Sequence, residues 1–403
     1  MLLRSLLVAI VLSGSVARAQ AIRHCDPLAL NPLVQDGFTH FYNLDYDGAL
    51  QRFEKVIQQH AKEPLGYALA LQVVIFRELY HQDLLDTTYY AHNSFLTAKR
   101  QITIPEAARQ QIEFFTDRAI GLADQRIREA PHNSALIKNA LFERGFAKGL
   151  HAAFITLADH SYFAAAREGL SARNDSEAAL KLDPEYADAD LAVGIQEFAV
   201  ASLPRLLRLT VGIAGIGGNK EKGLELLRVA AADGVVTNVD ARTALSLFLR
   251  HDGRYPDALA VQHGLAQQFP HNYLFRLEEA NLAKDEGNGP LAIGIYKAVL
   301  ADAARPYFFV DPELQMALFG LAETERGQND FVEAARDYAQ SAVQPNNSDW
   351  LRRRGELNAG EMFDLLHNRP AAIAEYRQVA AEGGDQSKAE QARKYLRSPY
   401  SGR

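Results

Sequence analysis

Residues 242–270 read RTALSLFLRHDGRYPDALAVQHGLAQQFP. Leu245, Leu249 and the pair Leu247 and Phe248 recur at helical spacing, and His251-Asp252-Gly253 breaks the pattern. Ala258, Leu259, Val261 and Leu265 then resume the period until Pro270 stops it. The stretch predicts two helices joined by a turn, a unit whose apolar stripes need neighbours to be buried.

The same unit recurs along the chain. Phe38, Phe41, Tyr42 and Leu44 form one stripe and Ala49, Leu50, Phe53 and Val56 the next, with Gly37, Tyr46, Ala49 and Phe53 giving a small, aromatic, small, aromatic order. Further on the markers are Ala280, Gly287, Ala292, Tyr296 and Val299; then Leu321, Ala322, Phe331, Ala334 and Tyr338; then Gly360, Phe363, Ala372, Tyr376 and Val379. This pattern resembles the tetratricopeptide repeat, which places small residues where its two helices cross, Gly at the internal turn and Pro at the exit. Leu245, Ser246, Gly253, Tyr255, Ala258 and Pro270 fall on those positions, while Gln262 stands where the family has an aromatic. The resemblance implies an all-α chain, an α-solenoid of about eight tetratricopeptide-like hairpins closed by a C-terminal capping helix, of the kind found in exported bacterial repeat proteins. The array is expected over 20–382, irregular over 28–234 and regular over 237–382, with the cap and a disordered tail over 383–403.

Between the regular units the sequence departs from the period. Residues 83–103 hold Thr-Thr, Tyr-Tyr and His-Asn-Ser clusters without a helical stripe, which predicts a long loop that either plugs the array or meets a partner. A single helical run is expected from about Ile155 to Leu182, and Pro184 closes it. Residues 206–218, LLRLTVGIAGIGG, are apolar and glycine-rich, but too short for a bilayer span and interrupted by Arg208. Val235-Val236-Thr237 is the one strand-like stretch.

Residues 1–19 are expected to be a cleaved signal peptide: Arg4 supplies the charge, Leu6 to Leu12 the apolar run, and Ala17-Arg18-Ala19 the processing site. The expected location is the periplasm, with secretion as the alternative. Removing Arg4 and Arg18 from the 43 basic residues leaves a net charge of about −9 against 50 acidic residues, which argues against a nucleic-acid binder. Cys25 is the single cysteine, so no internal disulfide can form; an unreactive thiol in a flexible N-terminal segment is expected.

Catalytic and cofactor motifs are missing from the sequence. GIGGNK at 215–220 lacks the Ser or Thr and the preceding strand of a phosphate loop. No histidine pair has metal-ligand spacing, and no nucleophile elbow occurs. The expectation is a non-enzymatic scaffold without cofactor or metal that binds a protein or extended peptide; membrane contact is not predicted. The alternative is a carrier holding an apolar ligand or lipid in a closed cavity. In the repeat family the first helix of each pair lines the concave surface, and the matching positions here are Leu247, Arg250, Leu277, Asn281, Lys284, Phe319, Glu323, Arg326, Arg354 and Glu361. Their mixture of apolar and basic groups suits a peptide of some acidic character. Leu277 stands where the family's clamp for chaperone C-termini has Lys, so chaperone binding is not predicted.

Overall fold

Short polar side chains set where the helices begin. Asp45, Asn133, Asn219, Asn272, Asn288 and Ser348 each accept a hydrogen bond from a backbone N–H of the turn that follows, replacing a partner the helix itself cannot supply. The computed structural model describes residues 24–89, 102–203, 217–345, 347–381 and 386–402. Among them are seventeen α-helices and no strand, and none of the helices is long and apolar enough to cross a membrane. Successive helices pack on one another over 32–59, 106–233 and 255–397, in the all-α, tetratricopeptide-like arrangement expected from the sequence.

The chain divides into two units, Met1–Leu79 with Ile102–Phe248, and Tyr80–Gln101 with Leu249–Arg403. The first contains α1 (Pro32–Tyr42), α2 (Tyr46–Gln59), α3 (Pro64–Tyr80), α4 (Glu106–Glu129), α5 (Ser134–Leu157), α6 (Tyr162–Leu182), α7 (Asp190–Ser202), α8 (Lys220–Asp233) and α9 (Asn238–His251), the last residues of α3 and α9 belonging to the second. The second continues with α10 (Tyr255–Gln268), α11 (Tyr273–Asp285), α12 (Gly289–Ala303), α13 (Leu314–Gly327), α14 (Phe331–Ala342), α15 (Asp349–Leu365), α16 (Arg369–Ala381) and α17 (Gln386–Arg397). Taken in order they read as eight pairs and a final helix. The long loop interrupts the second pair, whose helices still meet where Arg118 lies 5.3 Å over the Tyr67 ring.

Small residues permit the crossings. A Cβ added at Gly37 would sit 2.4 Å from the Phe53 ring, and one at Gly360 2.6 Å from Tyr376, so these aromatics occupy space that any larger residue would fill. Ala258, Ala280, Ala292 and Ala322 are fully buried at the corresponding crossings. Gln262, at the aromatic position of its hairpin, is buried and donates from Nε2 to the carbonyl of Phe275 at 2.8 Å, replacing ring packing with a bond to the next hairpin. The turns inside five hairpins share one left-handed residue: Leu44, Gly253, Gly287, Asn329 and His367, with φ between 59° and 91°. Only two of the five are the glycine that this conformation favours.

Three expectations from the sequence are corrected, and the strand-like stretch finds its explanation. The helical run placed from Ile155 to Leu182 is broken: α5 continues to Leu157, and His160, at φ 52°, turns the chain into α6. Val235-Val236-Thr237 forms no strand, because the backbone N–H groups of all three converge on Asp188 Oδ1 at 2.9 Å each, with Thr237 Oγ1 donating at 3.0 Å. Cys25 does not lie in a loose segment. It is buried beside Asp26, whose carboxylate caps Leu28 N–H at 2.7 Å, and burial pushes the thiol up to about 11, which keeps it protonated and unreactive. The tail past Ser398 is ordered, since Tyr400 N–H donates to Asp364 at 2.8 Å and its ring meets Tyr395. The expected signal segment 1–19, residues 90–101 of the long loop and 206–216 of the apolar insertion lie outside the described residues.

Candidate inner-face interface

In the second unit α11 touches α13, α13 touches α15 and α15 touches α17, so these helices form one layer, with α12, α14 and α16 packed between successive members. Nine of the ten predicted interface residues lie on this layer or at the end of α9. Leu247, half-buried, lies on the part of α9 that belongs to the first unit.

The buried tyrosines organise the layer from behind. Tyr296, Tyr338 and Tyr376 are almost completely enclosed, yet each phenol needs a partner, and each finds it on the first helix of its own pair. Tyr296 donates to Asn281, Tyr338 to Glu323 at 2.5 Å and Tyr376 to Asp364 at 3.0 Å. Asn358 Nδ2 also donates to Glu323, at 3.0 Å. These bonds fix the rotamers of the polar side chains above them.

Around Glu323 four predicted residues come together. The Phe319 ring packs edge-on against Tyr338, and the Arg354 guanidinium lies 5.5 Å from the Phe319 centroid and 4.6 Å from that of Trp350. Arg354 makes no hydrogen bond or ion pair among the described residues, and its Nε is buried without an acceptor. Arg326 pairs with Glu361 at 3.3 Å and donates to the Tyr400 hydroxyl at 3.1 Å. Burial holds the Glu361 carboxyl above its ordinary range, against the pull of Arg326.

The other end of the layer is different. Leu277 is a buried core residue, not a surface one. Arg250, expected as a cation open to the groove, has 1% side-chain exposure. Its Nη1 meets Glu278 at 3.0 Å, its Nη2 meets Asp285 at 2.7 Å, and its Nε donates to Asp285 at 2.8 Å. Glu278 is itself raised by burial, against the pull of Arg250 and the Thr87 hydroxyl. Lys284 is half-buried and makes no hydrogen bond or ion pair among the described residues. Of the expected inner-face cations Arg250, Lys284 and Arg326, the first and last are paired and Lys284 alone is open among the described residues.

Trp350, Asn358, Asp86, Thr87 and Tyr400 were not singled out by sequence, and Tyr338 was read as a packing marker, not as an interface residue. The tyrosine at the second-helix aromatic position was a visible signal; the others depend on contacts across 35 or more residues for Asn358, Thr87 and Tyr400. Among the described residues no group of three or more His, Cys, Asp or Glu side chains could hold a metal ion.

No protein-family model matches the sequence, and no curated protein does. The chain is similar to the solved structure of yeast Tom70, with 13% identity, 92% of this chain and 95% of that chain covered and a TM-score of 0.39. It is also similar to a tetratricopeptide repeat protein from Parabacteroides merdae, at 13% identity, 82% and 98% coverage and a TM-score of 0.33. A third is the P58(IPK) TPR domain, at 16% identity, 84% and 99% coverage and a TM-score of 0.27. At these values the likeness carries no functional argument; the assignment of helix pairs rests on the contacts described above.

Proposed function

We propose that this chain is an exported, non-enzymatic scaffold that holds an extended, acidic segment of another protein along α11, α13 and α15. One observation carries the reading: Arg354, in a chain with 50 acidic and 43 basic residues, lies over the rings of Trp350 and Phe319 and has no carboxylate partner among the described residues. A guanidinium held over two aromatic rings is positioned before binding, and a carboxylate brought by a partner could meet two of its N–H groups at once. Glu323 and Asn358 flank it with fixed polar groups for the partner's backbone.

The test is capture from envelope extract with the mature chain and with Arg354→Gln, which keeps a polar, hydrogen-bonding side chain while removing the charge. Partners retained by the parent should fall by about tenfold or more in the variant, as expected for a central Arg anchor, and retention should weaken with salt. An unchanged partner set would place binding elsewhere.

Export is tested separately. Val8→Arg interrupts the apolar run of residues 6–12 and should leave uncleaved precursor in the cytoplasm. Normal recovery of processed protein from the periplasm would refute the targeting assignment.

A further inference from the structure

The end of α9 and the face of α11 that the sequence assigns to a partner are already occupied by the chain itself. Residues after α3 turn at Asp83, which has φ 51° and accepts from Gln315 Nε2 at 3.1 Å, and Leu84 beside it is buried. Asp86 Oδ1 then accepts from Thr88 N–H at 2.9 Å, opening a short 3-10 turn over Thr87–Tyr89. Three side chains of this turn face the interface positions. Arg250 Nη1 donates to Thr87 Oγ1 at 2.9 Å and Nη2 to Thr88 Oγ1 at 3.3 Å; Thr87 Oγ1 donates onward to Glu278; and Asn281 Nδ2 donates to Asp86 Oδ1 at 3.4 Å. Every N–H-bearing nitrogen of Arg250 is thereby engaged, between the acids of α11 and the hydroxyls of the turn.

We propose that residues 83–89 are a built-in occupant of this part of the interface and that a partner segment reaching Arg250 and Asn281 must displace them. The inference rests on the reading that the inner layer binds a protein segment, and it names what that segment carries at this end: an acidic residue followed by two hydroxyl residues, the pattern of Asp86-Thr87-Thr88. The chemistry is specific because Asn281 supplies a donor for a carboxylate, whereas Arg250, neutralised by Glu278 and Asp285, retains N–H directions suited to neutral hydroxyl acceptors and Glu278 accepts a hydrogen bond from the hydroxyl. A tethered segment faces its site at an effective concentration on the order of millimolar, so a free peptide of the same sequence competes poorly until the tether's contacts are removed.

The experiment is calorimetric titration of the full mature chain with the synthetic peptide Asp-Leu-Leu-Asp-Thr-Thr-Tyr, residues 83–89. Three proteins are compared: the parent, the triple variant Asp86→Ala, Thr87→Ala, Thr88→Ala, and that triple variant with Asn281→Ala added. The triple variant should bind the peptide about tenfold or more tighter than the parent, and Asn281→Ala should weaken that binding again. If the triple variant loses its helical signal, Thr88→Ala alone replaces it, since Arg250 keeps Glu278 and Asp285 there, and the same tightening in smaller measure is expected. Equal titration of parent and variant, or no binding by either, overturns the proposal. That failure is distinct from failure of the scaffold reading, which shows instead as an unchanged partner set on Arg354→Gln with residues 83–89 intact.

Discussion

Arg250→Ala should lower the stability of the second unit by about 3–5 kcal/mol, the usual cost of removing one partner from a buried ion pair. The side chain has 1% exposure and faces Glu278 and Asp285, of which Glu278 is 7% exposed. Removing the guanidinium leaves Glu278 buried with a charge and little water to solvate it, and the Thr87 and Thr88 hydroxyls lose their donor. Urea unfolding followed by circular dichroism would measure the loss. The contrast is internal: Arg305, 61% exposed and paired with Asp302, should cost less than about 1 kcal/mol when replaced by Ala. A loss below that level for Arg250 as well would show that the cluster is solvated in solution.

The second large effect belongs to Asp188 in the first unit. One oxygen of this buried carboxylate takes the N–H groups of Val235, Val236 and Thr237 together with the Thr237 hydroxyl, and so organises the start of α9 from 47 to 49 residues away. Asp188→Ala leaves those donors facing a cavity, and at about 1–3 kcal/mol for each buried group without a partner the loss should reach about 3–5 kcal/mol after relaxation. Asp188→Asn retains a carbonyl oxygen in the same place and should lose markedly less. Equal losses for the two variants would mean that burial of the side chain, not its oxygen, holds the turn. Melting of both variants beside the parent decides between them.

The repeat was legible because its signal is local. Gly37 with Phe53 and Gly360 with Tyr376 are each 16 residues apart, and their spacing follows from the geometry of one hairpin. The break at His160 was not, because a histidine in a left-handed conformation carries no mark that distinguishes it from a helical one. The interface was legible in part for the same reason. Positions on the first helices could be counted, and Phe319, Glu323, Arg326, Arg354 and Glu361 do share a neighbourhood. Counting could not show which cations are already satisfied. Arg250 reads as a free charge from its own helix, but its acids lie 28 and 35 residues on and its hydroxyl contacts more than 160 residues back. Tyr400 reads as tail for the same reason: its partners, Asp364 and Arg326, lie 36 and 74 residues earlier.

The stacking of Arg354 on Trp350 has an optical consequence. The sequence contains one tryptophan, and it lies in the second unit against the cation proposed to anchor a partner. Its emission is therefore a label already in place: a carboxylate drawing the guanidinium off the indole would change quantum yield and wavelength without any added dye. The same indole is blind to the first unit, whose own fluorescence comes from tyrosine alone. Comparing tryptophan emission with the helical signal during denaturation would separate the melting of one half of the chain from that of the other.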